Sequence, residues 1–120
     1  MKSPVEVTEA SFETEVLKSD RPVLVAFDTG WSPPSTPWDE VVEGIAAETL
    51  DSIKVVRVTL DRSPRLGLWC GIRCIPTFLC FIDGEQRLGI FGTRDKDAII
   101  AQLRPVISLH RLSLPRLIGT

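Results

Sequence analysis

Residues 71–85 read GIRCIPTFLCFIDGE, and this stretch decides the fold. Pro76 stands directly before an apolar run over 77–82, a position that suits proline because the first residue of a strand can lack an N–H donor. Asp83 and Gly84 follow the run, and this dipeptide is a strong hairpin signal. We therefore predict a strand over 77–82 that returns as an antiparallel strand over 87–91.

The flanking sequence alternates between strand and helix patterns. Apolar runs predict strands over 5–7, 23–27 and 53–60, and the run over 23–27 reads as a central strand buried on both faces. Helical spacing predicts helices from Thr8 to Leu17, from 41 to 50, from 65 to 69, and from Asp95 through Leu103. The order predicts an α/β fold, a mixed central β-sheet flanked by helices on both faces.

Composition limits the class of protein. The 120 residues are 43% hydrophobic and carry a net charge of -2, which suits one domain and gives no basic surplus for nucleic-acid binding. No apolar run approaches the ~20 residues that span a bilayer, so we expect no membrane partner. Three cysteines, an odd number, favour a reducing compartment and a cytoplasmic location. We expect a domain over 1–107 and a C-terminal tail over 108–120 that packs in part on the domain or a partner.

Four pieces carry a family resemblance over roughly positions 5 to 104. They are PVLVAF with the following Trp-x-Pro-Pro-x turn, VVRVTLDRSP, GIRCIPTFLCFIDGE and GIFGTRDKDAII. Together they resemble the thioredoxin family. The resemblance implies the thioredoxin fold, disulfide exchange with protein or peptide thiol/disulfide substrates, and a cis Ile75–Pro76 bond that faces the active-site turn.

The chain departs from the family at the site of the chemistry. The family has a Trp-Cys-x-x-Cys turn, where this chain has Trp31, Ser32, Pro33, Pro34 and Ser35. A serine hydroxyl cannot form the mixed disulfide that a thiolate forms, and the acid that the family buries in the preceding strand is replaced by Ala26. Whether the serines are native or engineered replacements of cysteines stays open, as does the start of the next helix, at Pro34 or after a Thr36 cap.

Two cysteines offer replacement thiols. Cys70 and Cys74 stand immediately before Ile75–Pro76, and Arg73 would favour the thiolate of a neighbouring cysteine. The first functional hypothesis is an atypical thiol-disulfide protein. In it, Cys74 attacks the substrate disulfide and Cys70 resolves the resulting mixed disulfide. If the chain turns between them, we predict that the two thiols form a reversible, strained disulfide.

The second hypothesis is a redox-inactive module that holds an extended peptide by backbone pairing. The groove that it would use consists of Trp31, Arg73, Cys74, Ile75, Pro76 and Gly92. A third reading, an engineered Cys-to-Ser form of a disulfide reductase, stays open. We expect no metal and no cofactor, since the single histidine, His110, has no nearby cysteine. Cys80, Trp38 and Trp69 are predicted to be packing residues.

Overall fold

The structure is a computed structural model that describes residues 5–29, 37–49, 52–92 and 95–119. Its five strands are β1 (Val5–Glu6), β2 (Val23–Asp28), β3 (Lys54–Thr59), β4 (Thr77–Ile82) and β5 (Glu85–Phe91). Its helices are a π-helical segment (Glu13–Leu17), α1 (Pro37–Glu48), α2 (Pro64–Trp69) and α3 (Lys96–Gly119).

The strands form one mixed sheet in the order β1-β3-β2-β4-β5. The β2 strand lies at the centre, pairs parallel with β3 and antiparallel with β4, and all six of its residues are buried. At one edge of the sheet β1 pairs parallel with β3, and at the other edge β5 pairs antiparallel with β4. This architecture confirms the predicted α/β class with a mixed central sheet.

Side chains that alternate along β2 build a separate core on each face of the sheet. Leu24 and Ala26 belong to the core under α1 and α3, which includes Ile45, Ile99 and Leu103. Val25 and Phe27 belong to the core on the other face, which the π-helical segment and α2 cover. The sheet is therefore covered on both sides, which explains why the sequence of β2 is continuously apolar.

The hairpin between β4 and β5 forms at the predicted turn. Asp83 and Gly84 have φ of 54° and 80°, the pair of positive values that a type I′ turn requires. This tight turn pairs Ile82 with Glu85, so β5 begins two residues before the predicted start of the return strand.

The first helix differs from its prediction. The sequence predicts a helix from Thr8 to Leu17, whereas the structure has a five-residue π-helical segment in which the Lys18 N–H donates to the Glu13 carbonyl at 2.8 Å. This segment buries Val16, and Phe12 directly before it is buried in the same core. The apolar spacing thus identified the buried residues, but it did not distinguish a wide turn from an α-helix.

The last helix extends beyond its predicted end. We expected a helix from Asp95 through Leu103, and the Asp95 carboxylate caps its start by accepting the Asp97 N–H at 3.1 Å. However, α3 continues to Gly119 and crosses the predicted domain boundary after residue 107. Pro105 removes one backbone hydrogen bond from the helix, and packing of Ile107 in the core two residues later offsets that loss.

Candidate functional site

The loop before β4 has the backbone geometry that the resemblance implies. The Ile75–Pro76 peptide bond is cis. The Gly92 N–H donates to the Pro76 carbonyl at 2.9 Å, which joins this loop to the end of β5. Gly92 has φ of 76°, a left-handed conformation that glycine adopts without steric cost, and a Cβ at this position would meet no atom of the described residues within 4 Å. Gly92 is also exposed, so as far as the described residues go the surface around it is open.

Cys74 is an exposed thiol on this loop. Its carbonyl oxygen accepts a hydrogen bond from the Thr77 hydroxyl at 2.7 Å, and its sulfur lies 3.7 Å from the same hydroxyl oxygen. Thr77 is fully buried at the start of β4, so its hydrogen bond anchors the loop to the sheet. The structure thus brings together Cys74, Ile75, Pro76 and Gly92, with Arg73 exposed on the same loop.

Ile75 offers a free stretch of backbone beside the thiol. Within the described parts of the chain, its N–H and carbonyl make no hydrogen bond to another backbone group. Its side chain is 41% exposed, and the Phe91 side chain at the end of β5 is also exposed. An extended peptide can pair with such free backbone groups, and the two apolar side chains provide contact surface for it.

Cys70 has a different environment. It ends α2, where the Gly71 N–H bonds to the Leu68 carbonyl and the Ile72 N–H bonds to the Gly67 carbonyl in a Schellman motif. The Cys70 side chain packs against the core beneath the π-helical segment, and burial raises its pKa to about 11. Both thiols are free in the structure, Cys70 half-buried and Cys74 exposed.

The remaining cysteine is part of the core. Cys80 is fully buried in β4, and burial raises its pKa to about 11. The prediction that Cys80 packs as a small hydrophobe agrees with this placement. The same prediction was wrong for Trp69, whose side chain is 67% exposed because it lies on the last turn of α2. The Trp38 side chain is outside the described residues.

Trp31, Ser32, Pro33, Pro34 and Ser35 lie outside the described residues. The same holds for Thr36, so both predicted starts of α1 stay predictions.

Asp28 is a buried acid that the sequence reading missed. It is 5% exposed at the end of β2, its Oδ1 accepts the Thr29 N–H at 2.8 Å, and its Oδ2 has no hydrogen-bond partner among the described residues. The strand alternation places Asp28 on the same face as Ala26, and the pairing of Phe27 with Thr77 places it next to the cis-proline end of β4. An aspartate directly after an apolar run is typical of the exposed end of a strand. The sequence pattern therefore gave no sign that Asp28 is buried.

The described ranges contain neither a metal-binding cluster nor a membrane-spanning helix. No group of three or more His, Cys, Asp or Glu side chains there could hold a metal ion. No helix in those ranges has the length and apolar character needed to cross a membrane.

Comparison with known proteins identifies relatives over almost the whole chain. The sequence model of the family described as Thioredoxin matches residues 3–105. A thioredoxin of Porphyra purpurea is 40% identical over 103 residues, which cover 86% of this chain and 96% of the relative. A thioredoxin of Rickettsia bellii is 39% identical over 94 residues, covering 78% and 90%. Thioredoxin 1 of Synechococcus elongatus is 40% identical over 93 residues, covering 78% and 87%.

Proposed function

The chain belongs to the thioredoxin family, and on that premise we propose that it binds extended protein or peptide segments beside the cis-proline and exchanges disulfides with them through Cys74. The observation that carries this proposal is the exposed Cys74 thiol two residues before Pro76. Family membership supports a thioredoxin-like function of the thiol-disulfide redox class, and the position of Cys74 supports the finer assignment.

The binding step uses backbone groups. The free N–H and carbonyl of Ile75 pair with an extended peptide, and the open surface at Gly92 admits its backbone. Exposed Ile75 and Phe91 contact apolar side chains of the substrate. Trp31 and Arg73 complete the proposed groove, as the resemblance implies.

The chemical step is an exchange of one disulfide for another. The Cys74 thiolate attacks one sulfur of a substrate disulfide, whose S–S bond breaks as a new S–S bond forms between Cys74 and that sulfur. The other substrate sulfur leaves as a thiolate and takes a proton from water. Oxidation states are conserved, because one disulfide is consumed and one is formed.

Resolution of this mixed disulfide by Cys70 would be slow. In the proposed scheme the Cys70 thiolate attacks the Cys74 sulfur, which forms a Cys70–Cys74 disulfide and releases the substrate thiol. However, a thiol with a pKa of about 11 is almost entirely protonated at neutral pH. Cys70 must also leave the core against which it packs. We therefore propose that the mixed disulfide with Cys74 is long-lived and that a small-molecule thiol can resolve it instead.

A second candidate function is the redox-inactive peptide-binding module. The half-buried, protonated state of Cys70 favours it, as does serine at positions 32 and 35. Serine codons at both positions of the source gene would support native serines, and cysteine codons would support an engineered form of a disulfide reductase. Three free cysteines support a reducing, cytoplasmic compartment for either function.

The deciding experiment compares adduct formation with reversible binding. Incubation with a peptide disulfide, followed by mass spectrometry, should give a mixed disulfide on the unmodified chain and on the Cys70→Ser variant, but not on Cys74→Ser. An equal adduct on Cys74→Ser would contradict the role of Cys74. Saturable binding of a reduced peptide by the Cys70→Ser/Cys74→Ser variant, without any adduct on the unmodified chain, would favour the binding module.

A further inference from the structure

A cavity of about 420 Å³ lies on the face of the sheet that carries the π-helical segment, and its lining includes no residue of the cis-proline loop. Its apolar lining consists of Phe12, Leu17, Trp69, Cys70 and Phe81, and its polar lining consists of Glu9, Glu13 and Gln86. We call this cavity the acidic groove. The rings of Phe12 and Phe81 pack edge to face, with their centroids 5.8 Å apart, and form the floor of the acidic groove.

The rim of the acidic groove is suited to a cation. Two carboxylates and no Lys or Arg side chain occur among its described lining residues. Glu9 accepts a backbone N–H from Arg65 at 2.8 Å. Within the described ranges the Glu13 carboxylate has one partner, the solvent-exposed Lys18 at 3.6 Å, and an exposed pair of this type contributes little. The exposed indole of Trp69 adds an aromatic surface on which a guanidinium can stack. The complementary ligand is therefore apolar and bears a positive charge.

The same chain contains a segment of that chemistry. Residues 108–120 read SLHRLSLPRLIGT, with Arg111, Arg116, five Leu or Ile residues and no acidic residue. The α3 helix continues for twelve residues from Ile107, the last residue of the buried core, to Gly119, a length of about 18 Å. A helical stretch this short is marginal in water, and Pro115 weakens it further, so it requires a packing partner.

The segment cannot reach the groove of its own chain. The α3 helix packs on the face of the sheet opposite to the acidic groove, because Ile107 and Leu103 belong to one core and Phe12 and Phe81 to the other. A continuous helix from Lys96 to Gly119 does not turn around the sheet edge. The basic segment must therefore find an acidic groove on another molecule.

From this charge complementarity we propose that the acidic groove binds residues 108–120 of a second copy of this chain, which makes the protein self-associate. Each contact joins two different surfaces, the acidic groove of one copy and residues 108–120 of the other. When each of two copies places its segment in the groove of the other, the two contacts form a closed dimer. The lining includes no residue of the cis-proline loop, so a failure of this interface would leave the attack by Cys74 untouched; only the resolving Cys70 is shared.

A charge-exchange experiment tests the proposal on the full-length chain. One variant, Glu13→Lys, makes the groove basic, and a second, Arg111→Glu/Arg116→Glu, makes the segment acidic. Each variant alone opposes like charges and should weaken self-association by about five- to tenfold at low ionic strength, measured by sedimentation velocity. A mixture of the two should restore it, because both cross-contacts then join opposite charges.

Matched controls separate a specific contact from a change in net charge. Glu40→Lys changes an exposed acid on α1 and should leave self-association unchanged. Trp69→Ala should reduce binding of a synthetic 108–120 peptide by about tenfold, because it removes an aromatic anchor. A monomeric chain at every concentration, equal self-association of both charge variants and the unmodified chain, or binding of the peptide only to anionic vesicles would overturn the proposal.

Discussion

The sulfur of Cys74 lies 3.7 Å from the hydroxyl oxygen of Thr77, and this hydroxyl donates its hydrogen bond to the Cys74 carbonyl at 2.7 Å. A hydroxyl has only one proton to donate. Its oxygen is therefore free to accept from the Cys74 S–H, a contact that holds the sulfur beside the start of β4. Thr77 is fully buried, so the position of this hydroxyl is fixed.

Removal of the Thr77 hydroxyl should make Cys74 more reactive. In Thr77→Val the sulfur no longer faces an acceptor oxygen, and we expect alkylation of Cys74 at neutral pH to accelerate about two- to threefold, the effect of a weak hydrogen bond. Peptide mapping after iodoacetamide treatment measures the rate. Thr77→Ser keeps the hydroxyl and serves as the control, and an equal rate in all three chains would contradict the role of this contact.

The stability of the protein should decrease in alkaline solution. Burial raises the pKa of Cys70 and Cys80 from 9.0 to about 11, so the folded chain holds these protons more tightly than the unfolded chain does. The stabilisation from these thiols is complete below pH 9 and is lost as the pH rises toward 11. Urea denaturation should show that the free energy of unfolding falls over this pH range. In Cys70→Ala and in Cys80→Val the free energy of unfolding should fall less steeply with pH. A slope unchanged in both variants would exclude the thiols as its cause.

The buried carboxylate of Asp28 should be replaceable by an amide. Its Oδ2 has no hydrogen-bond partner among the described residues, so its burial costs free energy without compensation. We expect Asp28→Asn to raise the free energy of unfolding by about 1 kcal/mol at neutral pH in urea denaturation. Asp20→Asn, at an exposed acid, is the control. A loss of stability in Asp28→Asn would contradict the uncompensated cost of this carboxylate.

The sequence predicted the fold well because most of its signals are local. The apolar run of β2 and the Asp83–Gly84 turn each specify an element by themselves, and both occur as predicted. Features that depend on tertiary contacts were missed. The burial of Asp28 depends on the elements that cover the end of β2, and the half-burial of Cys70 depends on how α2 packs. A four-residue spacing cannot show that one thiol lies against a core and the other in solvent.

Two glycines with the same backbone strain should differ in their tolerance of a side chain. Gly84 and Gly92 have φ of 80° and 76°, a conformation that costs an alanine about 1–2 kcal/mol. At Gly92 a Cβ meets no atom of the described part of the chain within 4 Å, whereas at Gly84 it would lie 2.9 Å from the Leu17 carbonyl oxygen, a backbone atom that cannot rotate away. We expect the free energy of unfolding of Gly92→Ala to fall only by this conformational cost. For Gly84→Ala we expect a fall of about 3 kcal/mol, because the β4–β5 turn must also move away from the π-helical segment. Urea denaturation of the two variants measures the difference directly, with the unmodified chain as the reference. Equal losses would show that the turn does not press against Leu17.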